Sequence, residues 1–250
     1  MKNKNNYFLL FRACKRHSRF RKAALALVLC LLSGCLAGQR AVPSSSASPA
    51  SAQVPASLKT AKAQVAAFYE SGQFTRQAEA VATQAREWIS QALAQPSERK
   101  AAVVFGLDDT LLSNYARLKS RDFARPDVLA GSLNLPKALL SSPLPATPAM
   151  QDLFAYARDH GAVVFIVADR PESERQEVVE NLYKAGYAGW AGLLLLPPGE
   201  ERAPLSEVKA KLRAFIEERG LRIVANVGCK DEDLAGGHAE RTFRLPNPLY

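Results

Sequence analysis

Residues 101–116 read AAVVFGLDDTLLSNYA. The first six are apolar or glycine, the length and character of one strand buried on both faces. Gly106 closes that run, and the chain then breaks into the polar turn Asp108-Asp109-Thr110. Two neighbouring carboxylates therefore fall just beyond a buried strand.

Three more apolar runs follow: AVVFIVA at 162–168, GLLLLP at 192–197 and RIVANVG at 222–228. Between them lie stretches of helical character, PAMQDLFAYARDHG, ESERQEVVENLYKAG and LSEVKAKLRAFIEERG. Thr147 and Pro148 suit a helix start, and Gly186 and Gly220 suit helix ends. Apolar strands alternating with amphipathic helices predict an α/β fold, a three-layer α/β/α domain around a mostly parallel sheet. Upstream, helical signal begins near Leu58, and Val81, Ala85, Trp88, Ile89 and Ala92 share one face of a second helix, as core packing requires. Residues 116–146 show no clear period and are expected to form a small cap inserted over one end of the sheet. In open α/β sheets ligands sit beyond the carboxyl ends of the strands. The ends at 106–109, 168–170 and 228–233 bring Asp108, Asp109, Arg170, Lys230, Asp231 and Asp233 into play, a mixed-charge set suited to a phosphate or a divalent ion.

The formal charge of +9 is unevenly spread. Residues 1–34 hold eight Lys and Arg and no acid, leaving 25 basic against 24 acidic residues beyond them. Nucleic acid is therefore not expected as a partner. The basic stretch to Lys22 followed by AALALVLCLLSG reads as an export signal. It ends in LSGC, which resembles a bacterial lipobox with Cys35 as the lipidated first mature residue. A non-lipidated signal peptide or a short uncleaved anchor is the alternative. By that likeness, Leu36 after the cysteine implies an outer-membrane lipoprotein facing the periplasm or the cell surface. The expected organisation is a signal peptide over 1–34, a lipidated Cys35 with an Ala/Ser/Pro-rich tether to 57, and a folded domain over 58–250. Cys14 and Cys30 leave with the signal and Cys35 is acylated, so Cys229 alone remains a thiol and no disulfide is expected. His17, His160 and His238 have no metal-ligand spacing.

The segments FYESGQFTRQ, VVFGLDDTLLSNY, FIVADRPESERQEVVENLYKAGY and RIVANVGCKDEDLAGGHAERTFRLPNPLY resemble the haloacid dehalogenase (HAD) superfamily, subfamily IIIB, the secreted and lipoprotein acid phosphatases (class B-like). The likeness covers roughly 65–250. It implies a HAD-like Rossmannoid domain with N-terminal helices packed alongside, a phosphomonoester substrate and a magnesium ion. The family's first motif, D-x-D-x-T, carries the nucleophilic Asp and then the acid/base Asp. Here it reads G-L-D-D-T: Asp108 and Thr110 match the acid/base and its support, and Gly106 stands at the nucleophile position. The hydroxyl position of the second motif is Ala168, with Arg170 kept. Lys209 fills the third motif. In the fourth, G-C-K-D-E-D, Cys229 replaces the first Asp and Asp233 keeps the second; Asp231 is the other carboxylate, reaching a metal only with the loop rearranged.

Gly106, Ala168 and Cys229 together remove a nucleophile, a phosphate-binding hydroxyl and a magnesium ligand, and a thiol suits magnesium poorly. Magnesium binding is therefore in doubt. The expected function is a catalytically impaired family member kept for binding a phosphate-type ligand or a partner in the envelope. The alternatives are an active acid phosphatase and a purely structural envelope lipoprotein. Asp109, on an extended strand end, is expected to point away from Asp108. Oligomeric state is not legible.

Overall fold

The computed structural model describes residues 57–124, 143–200 and 202–249. The expected signal peptide, Cys35 and nearly all of the tether lie outside them. Among the described residues no helix is long and apolar enough to cross a membrane.

Ser57 caps helix α1 (Leu58–Glu70), its hydroxyl accepting from the Thr60 N–H at 3.1 Å. The left-handed Gly72 (φ 73°) then turns the chain into α2 (Gln73–Ala94). Helix α2 buries Phe74, Ala78, Ala85, Ile89 and Ala92. Trp88 of the same stripe is only partly buried, and its indole N–H also donates to the Val224 carbonyl at 2.7 Å. It does more than pack.

Strands β1 (Lys100–Gly106), β2 (Val163–Pro171), β3 (Gly192–Leu196) and β4 (Leu221–Gly228) match the four apolar runs. A fifth, β5 (Thr242–Arg244), completes the sheet in the order β3-β2-β1-β4-β5. Every pairing is parallel. With β1 central, its side chains alternate between two cores. Val103 and Phe105 join Val164, Ile166 and the stripe of α2 on one face, with α4 (Pro148–Asp159) and α5 (Arg175–Lys184). Ala102 and Val104 join Phe165, Val167 and Val208, Leu212 and Ile216 of α6 (Leu205–Glu217) on the other. This is the three-layer arrangement, and α2 is part of one covering layer.

The interruption after β1 begins with a short helix, α3 (Tyr115–Ser120), where no periodicity was expected. Residues 125–142, the middle of the expected cap, lie outside the described part. The two ends of the interruption are stitched together. Ser113 N–H donates to the Pro145 carbonyl at 2.9 Å, and Thr147 N–H to the Leu111 carbonyl at 2.8 Å. The chain thus leaves the sheet and returns at one place, beside the end of β1. Thr147 does sit at the start of α4, but its side chain makes no capping bond.

Candidate functional site

Beyond Gly106 the chain coils rather than running on. The N–H groups of Thr110, Leu111 and Leu112 all point at the Leu107 carbonyl, and Asp109 N–H donates to the Leu112 carbonyl at 2.7 Å. Asp109 adopts a left-handed conformation, φ 56°. The extended strand end expected there does not form, because this turn reverses the chain directly after Leu107. As a result Asp108 and Asp109 are not separated. The Asn114 amide nitrogen lies 3.2 Å from an oxygen of each, and the Asn114 backbone N–H donates to Asp109 at 2.8 Å.

Asp108 and Arg170 face each other across the ends of β1 and β2. Arg170 Nε and Nη2 each approach one Asp108 oxygen at 2.8 Å, a bidentate pair. Arg170 also reaches Glu174 at 3.2 Å. Burial opposes the Asp108 charge, but the Arg170 guanidinium outweighs it and holds the carboxyl below its ordinary value. Asp109 lacks such a cation. Burial pushes its carboxyl up to about 6, and the Asp108 charge adds to the rise.

The β1–β4 side is organised around Asp233. This residue lies in α7 (Asp231–Leu234), a single turn after β4, and its carboxylate reaches back to the start of that turn. One oxygen accepts from the Lys209 ammonium at 2.6 Å. The other accepts from the Cys229 and Lys230 backbone N–H groups, each at 3.0 Å. Gly228 permits this, because any side chain there would collide with the Asp233 Cβ. Cys229 is buried, its sulfur 3.3 Å from the Asp108 backbone carbonyl and 3.2 Å from the Asn247 amide. Burial, with the Asp233 charge beside it, pushes the thiol up to about 12. The sulfur is thus a neutral S–H at ordinary pH.

A Cβ on Gly106 would stand 3.0 Å from the Thr110 hydroxyl and 3.3 Å from an Asp233 oxygen. A side chain leaving β1 there would therefore need both neighbours to give by a few tenths of an ångström. Ala168 is buried at the end of β2, and Asp169, the next residue, turns to the lysines: its carboxylate is 3.3 Å from Lys230 Nζ and 3.8 Å from Lys209 Nζ. Asp231 is exposed at the rim, paired with Arg244. A cavity of about 540 Å³ opens over these groups, lined among others by Asp108, Asp169, Arg170 and Lys230.

The fold therefore gathers Gly106, Asp108, Thr110, Arg170, Lys209, Cys229 and Asp233 at one end of the sheet and leaves Asp231 at the margin. Asn114, Asp169 and Asn247 escaped the sequence reading. Asp169 had a usable signal, since it directly follows an apolar strand; Asn114 and Asn247 had none beyond lying in family-like segments.

The donor set fits magnesium poorly. Both Asp233 oxygens are taken by protein hydrogens, Gly106 offers none, and Cys229 presents a thiol rather than an oxygen. Among the described residues no cluster of three His, Cys, Asp or Glu side chains is arranged to hold a metal ion.

The chain has relatives of known kind. It is 30% identical to Acid phosphatase 1 of Solanum lycopersicum over 148 residues, 59% of this chain and 57% of that protein. It is 32% identical to Vegetative storage protein 1 of Arabidopsis thaliana over 151 residues, 59% of this chain and 54% of that one. It thus spans just over half the length of these relatives. Among solved structures, the class C acid phosphatase from Bacillus anthracis superposes with a TM-score of 0.58 at 20% identity, covering 77% of this chain and 84% of that one, which shows a shared fold. A second structure of that class C enzyme, with tungstate bound, gives a TM-score of 0.55 at 20% identity over the same shares of both chains. The sequence profile of the HAD superfamily, subfamily IIIB (Acid phosphatase), matches residues 34–250. The parallel sheet, the gathered strand ends and this match over most of the chain have one meaning: the chain belongs to the HAD superfamily, subfamily IIIB acid phosphatase family.

Proposed function

We propose that this family member binds a phosphate-type anion, a phosphomonoester or a partner bearing one, in the cavity at the strand ends without turning it over at a useful rate. The observation that carries this reading is Gly106 itself, which offers no nucleophilic side chain at the end of β1, in a place bordered by the Thr110 hydroxyl and the Asp233 carboxylate. The acid/base position points the same way. Asp108 is held ionised by Arg170, so it is a poor proton donor to a leaving oxygen. Arg170 and Lys230 line the cavity and supply its cationic side. In this reading a lipid on Cys35 holds the domain at the outer membrane, facing the periplasm or the cell surface.

The test is hydrolysis of a generic phosphomonoester by the purified protein at acidic and neutral pH, with and without magnesium. Loss of a covalent nucleophile lowers turnover by about 10⁴–10⁶ relative to an intact site. Turnover within tenfold of a working acid phosphatase would overturn the reading. The likeness to Acid phosphatase 1 favours a second reading, an active phosphomonoesterase with a relocated nucleophile. The triple variant Gly106→Asp, Ala168→Thr, Cys229→Asp separates the two, since activity appearing only there shows that the frame is intact and its chemistry lost.

A further inference from the structure

We infer that the residues at the ends of β1 and β4 do not fit the family's divalent cation, so that this chain keeps its fold and its site without any metal. The inference concerns the cation alone and holds whether or not the cavity takes a phosphomonoester.

Three oxygens converge at the ends of β1 and β4: the two of the Asp233 carboxylate and the backbone carbonyl of Asp108. In a metal site such oxygens would have lone pairs turned to the ion. Here each accepts a hydrogen from the protein. Lys209 donates to one Asp233 oxygen at 2.6 Å, and the Cys229 and Lys230 N–H groups donate to the other at 3.0 Å each. The Cys229 sulfur lies 3.3 Å from the Asp108 carbonyl, placed to donate its proton there.

The charge is also settled internally. Lys209 and Asp233 are both buried, with side chains 2% and 7% exposed, and one ammonium meets one carboxylate. A dication entering this place would have to displace Lys209 and the thiol proton. It would find Asp233 and Asp169, both already facing lysines, while Gly106 and Cys229 bring no carboxylate. A hydrated magnesium ion gives up its waters reluctantly, and carboxylates already paired offer too little in return.

Gly106 and Cys229 bring no anion to this place: Asp233 is the counter-charge of Lys209, and the thiol closes the remaining carbonyl. Asp169, 3.8 Å from Lys209, adds a second weak restraint on the same ammonium.

The experiment uses the full-length protein with the metal alone and no phosphate. Thermal unfolding is followed in EDTA and across a magnesium titration into the millimolar range. A site filled at one hundred times its dissociation constant raises the midpoint by about 5–10 °C for a domain of this size. The expected result is no saturable rise above about 1 °C. Independently, manganese is titrated and its free electron paramagnetic resonance signal is read. The free signal should persist at one equivalent of protein. A saturable magnesium shift, or stoichiometric capture of manganese that Asp233→Asn weakens tenfold or more, overturns the inference. Capture unchanged in Asp233→Asn places the ion elsewhere and leaves this place as inferred. Should Asp233→Asn fail to fold, Cys229→Ser takes its part, since the hydroxyl keeps the shape and supplies a potential oxygen ligand. A magnesium response appearing only in Cys229→Ser supports the role of the thiol.

Discussion

The two sides of the β1 strand end hold their charges differently. On the β2 side, Asp108 and Arg170 form a bidentate pair that still lines an open cavity, with side chains 10% and 27% exposed. On the β4 side, Lys209 and Asp233 face each other with almost no access to water. The open side keeps groups that can exchange a protein partner for a ligand. On the closed side, an internal ion pair satisfies both charges, and its polar atoms meet one another.

The contrast can be broken most forcefully at Lys209. Removing one partner of a buried pair leaves the other uncompensated, so Lys209→Met should cost about 3–5 kcal/mol in urea unfolding. A loss under about 1 kcal/mol would mean that water reaches Asp233 and that the two sides do not differ.

Next in size is Asp109, buried between them and raised from 3.8 to about 6. Its folded form holds the proton to a higher pH than its unfolded form. Its contribution is thus fully present below pH 3.8, shrinks as pH rises towards about 6, and is lost above. The amount is about 3 kcal/mol. Asp109→Asn, which tolerates the left-handed backbone at this position, should remove that slope. Parallel pH profiles of the two proteins between pH 4 and 7 would detract from this account.

Gly106→Asp alone should destabilise by about 1–3 kcal/mol, because its Cβ crowds Thr110 and its carboxylate meets Asp233. Calorimetry showing a stabilised variant would mean that Asp233 swings away freely. The smallest effect is expected on the open side. Arg170→Gln should cost about 1 kcal/mol, since its pair borders the open cavity and keeps some access to water, while weakening orthophosphate binding in titration calorimetry by about tenfold. Unchanged phosphate affinity would remove Arg170 from the proposed ligand site.

Much of the fold was legible because β1 to β4 are apolar runs buried on both faces, a pattern that ordinary helices of this length do not produce. Strand β5 was not, since Thr242–Arg244 buries only Phe243 and owes its form to pairing with β4. Helix α3 is six residues long, too short to display a period. Within the site, Gly106, Ala168 and Cys229 could be named from motif position. That Asp233 would lie beside Gly106 could not, because the contact joins segments more than a hundred residues apart.

By itself the sequence determined the order of strands and helices, the alternation that sends Val103 and Phe105 to one core and Ala102 and Val104 to the other, and which residue types stand at the strand ends. Those properties are local, set by residue type and period. Tertiary structure alone decided which charges meet. Arg170 turns to Asp108, Lys209 to Asp233, and the Cys229 sulfur to the Asp108 carbonyl. Such pairings depend on distances of a few ångströms across a sheet, and electrostatic energy at that range follows spatial neighbours rather than chain neighbours.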